Sequence, residues 1–307
     1  MSKAFFGTAR DGAGVERIAL RAGPLAAGIL TLGAILQDLR WHGRPLALGS
    51  PDLAAYDGGP LAFCGAIVGP VANRIGQARA PLDGRLLSFE ANAQGHHLHG
   101  GATGLHAKHW QVADLAEDRV TLESHAPPGE GGLPGARRFR ATWALAPDAL
   151  TITLEAETDA PTLVNLAPHP LLAMRAPVLR IAADTYLPTD ATALPTGRIA
   201  PVAGTRFDFR TPRRLTDADR LDHNFCLATG RGPLREVAIL ADAAASLSLS
   251  TTEPGLQVYT ADGFGADVRT HHGAPYGARA GVALEPQHWP DAPNRPGFPS
   301  IRLAPGT

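Results

Sequence analysis

A carboxylate at Glu285 sits where a chain can hold a base. In Gly281-Val-Ala-Leu-Glu-Pro-Gln-His-Trp-Pro, an extended backbone puts Val282 and Leu284 on one face and Ala283 with Glu285 on the other. Pro286 follows, and its missing donor is expected to end the strand there. Other segments repeat the arrangement of a polar side chain opposite an apolar stripe. Asn165 and His169 oppose Val164 and Leu166, and Asp222 and Asn224 oppose Phe225 and Leu227. Gln257 opposes Leu256 and Val258. Asn73-Arg74 follows the apolar run at Ala66-Ile-Val. These are groups that bind hydroxyls in pairs, with a carboxylate and an imidazole able to exchange protons.

Between Gly95 and His109 lie five histidines, at 96, 97, 99, 106 and 109. No carboxylate or thiolate falls among them, and the spacing matches no zinc pattern, so no metal is expected. His99 stands out because Gly100-Gly101 lets backbone approach a ligand. His271-His272 reads as an exposed loop. The chain has no glycine-rich phosphate loop, no Gly-x-Ser-x-Gly elbow and no Ser-His-Asp set.

The elements that must carry these groups read as strands. Helical periodicity is scarce, and 34 Gly and 27 Pro punctuate short alternating runs. Gly28–Trp41 reads as one or two strands before a turn at His42-Gly43-Arg44-Pro45. Asp83-Gly84 is a hairpin turn. Phe139, Ala141, Trp143 and Leu145 alternate into a second hairpin with Ile152, Leu154 and Ala156. Leu247–Thr252 and Gly255–Thr260 also have period two. Short helices are expected only near Asp52–Tyr56 and Asp217–Leu221. With no linker or repeat across 307 residues, the expectation is an all-β fold, one antiparallel sandwich domain spanning 1–307.

A net charge of −1 without basic or acidic runs points away from nucleic acid. The Ala22–Leu36 window is apolar but interrupted, and falls short of the ~20 residues that span a bilayer. Cys64 and Cys226 are far apart, which fits buried free thiols and a cytoplasmic location. Monomer and homodimer both stay open.

Taken in order, eight pieces resemble the aldose 1-epimerase (galactose mutarotase) family. They are Val71-Ala-Asn-Arg-Ile75, Leu98-His-Gly-Gly101, Val164-Asn-Leu with His169, Tyr186-Leu-Pro-Thr-Asp, Pro195–Phe209, Leu221–Leu227, Thr251–Thr260 and Leu284–Asn294. The resemblance implies a single β-supersandwich, a free aldose as substrate, no cofactor, and interconversion of its α and β anomers. It makes Glu285 the general base and His169 the general acid, with Asn73, Arg74, His99, Asp222 and Gln257 binding the sugar. The chain departs from the family pattern at Gly69-Pro70, where an Arg is usual, and around the histidine, where Pro168, Pro170, Leu171 and Leu172 stand. The usual Glu-Glu-Gly-Tyr-Pro-Gly loop is reduced to Glu130–Gly135. Two other readings stay open, a carbohydrate-binding sandwich without catalysis and a mutarotase for a modified or phosphorylated sugar.

Overall fold

The computed structural model describes residues 2–264, 268–271 and 275–307. Among these the chain is strands and turns, and its helical pieces are three-residue 3₁₀ turns. Antiparallel hairpins build two sandwich halves. In the first, a five-stranded meander from Ser2 to Pro45 packs against a four-stranded meander from Gln111 to Thr158. The expected alternation is observed on Arg137–Ala146, where Phe139, Ala141 and Trp143 are fully buried and Leu145 nearly so. Its neighbour Ala149–Thr158 turns Ile152, Leu154 and Ala156 to the same core. Burying each large apolar side chain contributes about 1.5–3 kcal/mol. The Asp83-Gly84 hairpin also forms, between Arg79–Leu82 and Arg85–Ser88.

In the second half, a six-stranded sheet packs on a four-stranded one formed by Arg213–Arg214, Val178–Ile181, Arg235–Ala241 and Ser246–Thr251. The six-stranded order is Leu171–Leu172, Val282–Gln287, Gly255–Tyr259, Asp222–Cys226, Thr185–Tyr186 and Ala200–Pro201. Leu256, Val258, Val282, Leu284 and Phe225 face that core. The opposite face of the same strands is therefore left to polar groups. A third apolar cluster joins the halves, with Leu30 and Ile35 meeting Leu171 and Ala283.

Several expectations meet a different outcome. Pro286 does not end its strand, which runs from Val282 to Gln287 with Pro286 opposite Leu256. The Leu171–Leu172 strand covers the other edge only at Val282 and Ala283, so the missing donor falls where that edge carries no ladder. Residues 163–169 do not pair as one strand. Leu163 pairs with Arg302, and Ala167–Pro168 pairs with Ile67–Val68. No helix forms at Asp217–Leu221, because the Asp219 carboxylate accepts from the Thr216 N–H and hydroxyl and from Arg213, closing a turn instead. At Asp52–Tyr56 the helix is a single 3₁₀ turn, Leu53–Ala55. His271 is half-buried with Nε2 3.0 Å from the Gln37 carbonyl, and His272 lies outside the described residues.

Candidate active site

Three adjacent strands bring Asp222, Gln257 and Glu285 onto one face. Gln257 lies directly between Asn224 and Glu285 in register, and Tyr259 between Asp222 and Ala283. The Gln257 amide donates to Asp222 Oδ1 at 2.6 Å. Asp222 Oδ2 in turn lies 3.5 Å from Arg74 Nη2.

His169 reaches this face from a crossover between sheets. Its N–H donates to the Ala66 carbonyl at 2.9 Å, and its own carbonyl accepts from Gly65 at 2.8 Å. Proline on either side keeps the crossover extended. The imidazole Nε2 then stands 3.5 Å from Glu285 Oε1. His99 meets the His169 ring edge-on, with centroids 5.5 Å apart.

Asn73 adopts a left-handed backbone, φ 62°, a conformation asparagine tolerates better than most residues. That turn aims its N–H at His99 Nδ1, 3.1 Å away. Nδ1 is thus an acceptor, and the neutral ring carries its proton on Nε2. Glu285, His169, His99, Asn73, Arg74, Asp222 and Gln257 therefore form a closed circuit of neighbours. All seven residues that the resemblance assigned to the site come together.

Burial sets the electrostatics. It pushes the Glu285 carboxyl well above its ordinary range, helped by the Asp222 charge and opposed by Arg74. Burial also lowers the His169 imidazole. It holds His99 well below 6.5, with His169 and His106 adding to the shift. The site resists charge on both members of the close pair.

A cavity of about 290 Å³ opens onto Glu285, His169, His99, Asn73, Arg74 and Asp222. Gln257 stands behind it, 3 % exposed, holding Asp222. The remaining wall includes Leu171, one of the departures beside the histidine, and Cys64, together with Phe63, Tyr259 and Phe264, which the sequence did not single out. Tyr259 was findable by period two from Gln257, whereas Phe63 and Phe264 sit in irregular chain that carries no such signal. Asn165 takes no part, since its amide ties the Ala72 and His288 backbones together. Of the five clustered histidines only His99 lines the cavity. His96 bonds Gln77 and Thr192, His97 bonds Glu90, His106 packs on Phe63, and His109 meets Asp11. Gly100 and Gly101 make room for protein rather than ligand, with Gly69 and Glu90 filling the space of a side chain.

Comparison with known proteins gives a consistent picture. The model of the aldose 1-epimerase family matches residues 16–307. The chain is 34 % identical to galactose mutarotase of Homo sapiens, covering 100 % of this chain and 95 % of that protein. It is 32 % identical to the aldose 1-epimerase of Escherichia coli strain K12 over 78 % of this chain and 74 % of the other. The crystal structure of an aldose epimerase homologue from C. elegans superposes with a TM-score of 0.87 at 29 % identity, covering 95 % of each chain. Galactose 1-epimerase from Lactobacillus acidophilus gives 0.87 at 27 % identity, covering 99 % and 94 %.

Proposed function

The chain belongs to the aldose 1-epimerase family and is an isomerase acting on aldoses, and we propose that Glu285 and His169 are the base and acid of that reaction. The observation that carries this reading is the 3.5 Å approach of the two side chains at the wall of a sugar-sized cavity.

The Glu285 carboxylate takes the proton of the anomeric hydroxyl while the C1–O5 bond breaks and the C1 carbonyl forms. Protonated His169 delivers its proton to O5. The aldehyde rotates about the C1–C2 bond, O5 attacks the other face, and both protons return. Nothing is gained or lost, and the pair holds one proton in total before and after ring opening. Ring opening turns carboxylate and imidazolium into carboxylic acid and imidazole. Burial disfavours both of those charges, so it favours the proton transfers that open the ring.

Neutral His99, with its proton on Nε2, donates to the sugar. Arg74 and Asp222 take further hydroxyls, and Gln257 fixes Asp222 from behind. A phosphorylated sugar is disfavoured because, among the described residues, Arg74 is the only Lys or Arg at the cavity, and it is already opposed by Asp222. A purely binding sandwich would have no use for the buried acid–base pair. Galactose, named in the relatives' descriptions, is the first aldose to try. Leu171 offers no hydrogen bond beside His169, which also places deoxy sugars in the range.

The chain acts as one domain, 1–307, since a shared apolar cluster joins the halves. A cytoplasmic monomer or homodimer completes the proposal, in keeping with two buried free thiols. Among the described residues no helix is long and apolar enough to cross a membrane. The test is NMR saturation exchange between α and β anomeric signals over a panel of free aldoses. Exchange above buffer for at least one sugar supports the reading, and exchange at the buffer rate for all of them overturns it.

A further inference from the structure

Along the same face, the three strands carry a second set of polar groups. Asn224 is 2 % exposed and Gln287 is fully buried, and neither lines the sugar cavity. Both atoms of each amide lack a partner, as do Gln257 Oε1 and Glu285 Oε2. Register places them together: Asn224, Gln257 and Glu285 form one row across the strands, and Gly255 faces Gln287 in the next.

Gly255 lets Asn224 and Trp289 pack closely over its backbone. A Cβ there would come within 2.6 Å of Asn224 Oδ1 and 2.9 Å of the Trp289 ring, so the Asn224 amide lies over the glycine. A buried polar group without a partner costs about 1–3 kcal/mol. Four amide atoms in one patch would together cost as much as a typical domain's whole stability. Such groups are met by ordered water, which makes about three hydrogen bonds at a polar, enclosed site.

We infer that Asn224 and Gln287 hold ordered water, bridging to Gln257 Oε1 and Glu285 Oε2, and are positioning residues for the base. The water supplies hydrogen bonds to the carboxylate from the side away from the sugar. It steadies the charged form of Glu285 and fixes the orientation of Gln257, which in turn holds Asp222. Neither residue touches substrate.

This inference rests on Glu285 being the base, and the experiment separates the two. Gln287→Met keeps side-chain length without polar atoms, and Asn224→Leu does the same on the other strand. Each is expected to lower kcat about 10–100-fold, the usual cost of losing an outer-shell partner, with KM little changed. Because the carboxylate loses donors, the basic limb of the rate–pH profile should move to higher pH. A high-resolution crystal structure of the unaltered protein should place water within hydrogen-bond distance of both amides. The inference is overturned if the two amides bond directly to one another in that structure, or if the variants melt lower while the pH profile stays in place. Retained activity in Glu285→Gln would instead overturn the assignment of the base.

Discussion

Glu285 Oε1 and His169 Nε2 lie 3.5 Å apart, yet Oε2 of the one and Nδ1 of the other have no partner in the protein. The two groups are held by packing and backbone position rather than by further hydrogen bonds to the protein. Glu285→Gln and His169→Asn should each lower kcat by about 10²–10⁴-fold, the range for removing one positioned acid or base. The double variant should fall little further than the worse single one, since the two act in one concerted exchange. Polarimetry with far-UV circular dichroism as a folding control checks this. Wild-type rates in either variant would remove that residue from the chemistry.

The rate should be bell-shaped in pH. Activity requires one proton on the pair, so a second proton stops it from the acid side and loss of the only proton stops it from the alkaline side. Burial lowers the His169 imidazole, which puts the acid limb below its ordinary 6.5. Burial raises Glu285 well above its ordinary 4.5, which carries the alkaline limb upward. Initial rates extrapolated to zero buffer would locate both limbs. An acid limb above 6.5 contradicts the burial argument.

Glu285→Gln should melt higher than wild type at neutral pH while being inactive. The folded protein holds the Glu285 proton more tightly than the unfolded chain does, because the folded pKa is raised. The stability that goes with this is fully present below the unfolded value of 4.5 and is lost as pH rises through the folded value. At pH 7 the wild type has lost part or all of it, whereas glutamine carries no charge to bury. Calorimetry at pH 4 and pH 7 should find a small difference at the first and a larger Tm advantage for the variant at the second. An unchanged or lower Tm at pH 7 would show that the carboxylate is stabilised in ways burial does not describe.

Where side chains alternate along a strand that keeps one partner in continuous register, local pattern and fold agree. That is why Phe139 to Leu145, the Asp83-Gly84 turn and the face of Glu285 were legible in the sequence. The pattern failed where pairing changes partner within a few residues. Asn165 and His169 share sequence parity, but the segment changes pairing partner between them, so the first became a backbone tie and the second a member of the site. Pro286 misled because a proline's cost depends on whether the edge it faces is paired, which only the sheet order reveals. The grouping of Asn224, Gln257, Glu285 and Gln287 depends on register across three strands separated by up to 65 residues, and no local window contains it.

Gly100→Ala should disable the site without touching a reacting group. Gly100 has φ 90°, where an L side chain costs about 1–2 kcal/mol in backbone strain. Its Cβ would also fall inside contact distance of the Gly69 carbonyl oxygen and 2.7 Å from Gly104 Cα. Both neighbours are backbone, so neither can swing aside as a side chain would, and overpacking of this kind adds about 1–3 kcal/mol. The strand must then shift at His99, whose N–H bonds the Asn73 carbonyl and whose Nδ1 takes the Asn73 N–H. The expected outcome is a lower Tm together with a raised KM, because the role proposed for His99 and Asn73 is to hold the sugar rather than to move its protons. The pH limbs should stay where they are in the fraction that remains folded. A variant with wild-type Tm would show that the Gly69–Gly100 approach is looser than its geometry requires, and displaced limbs would show that His99 acts on the proton transfer itself.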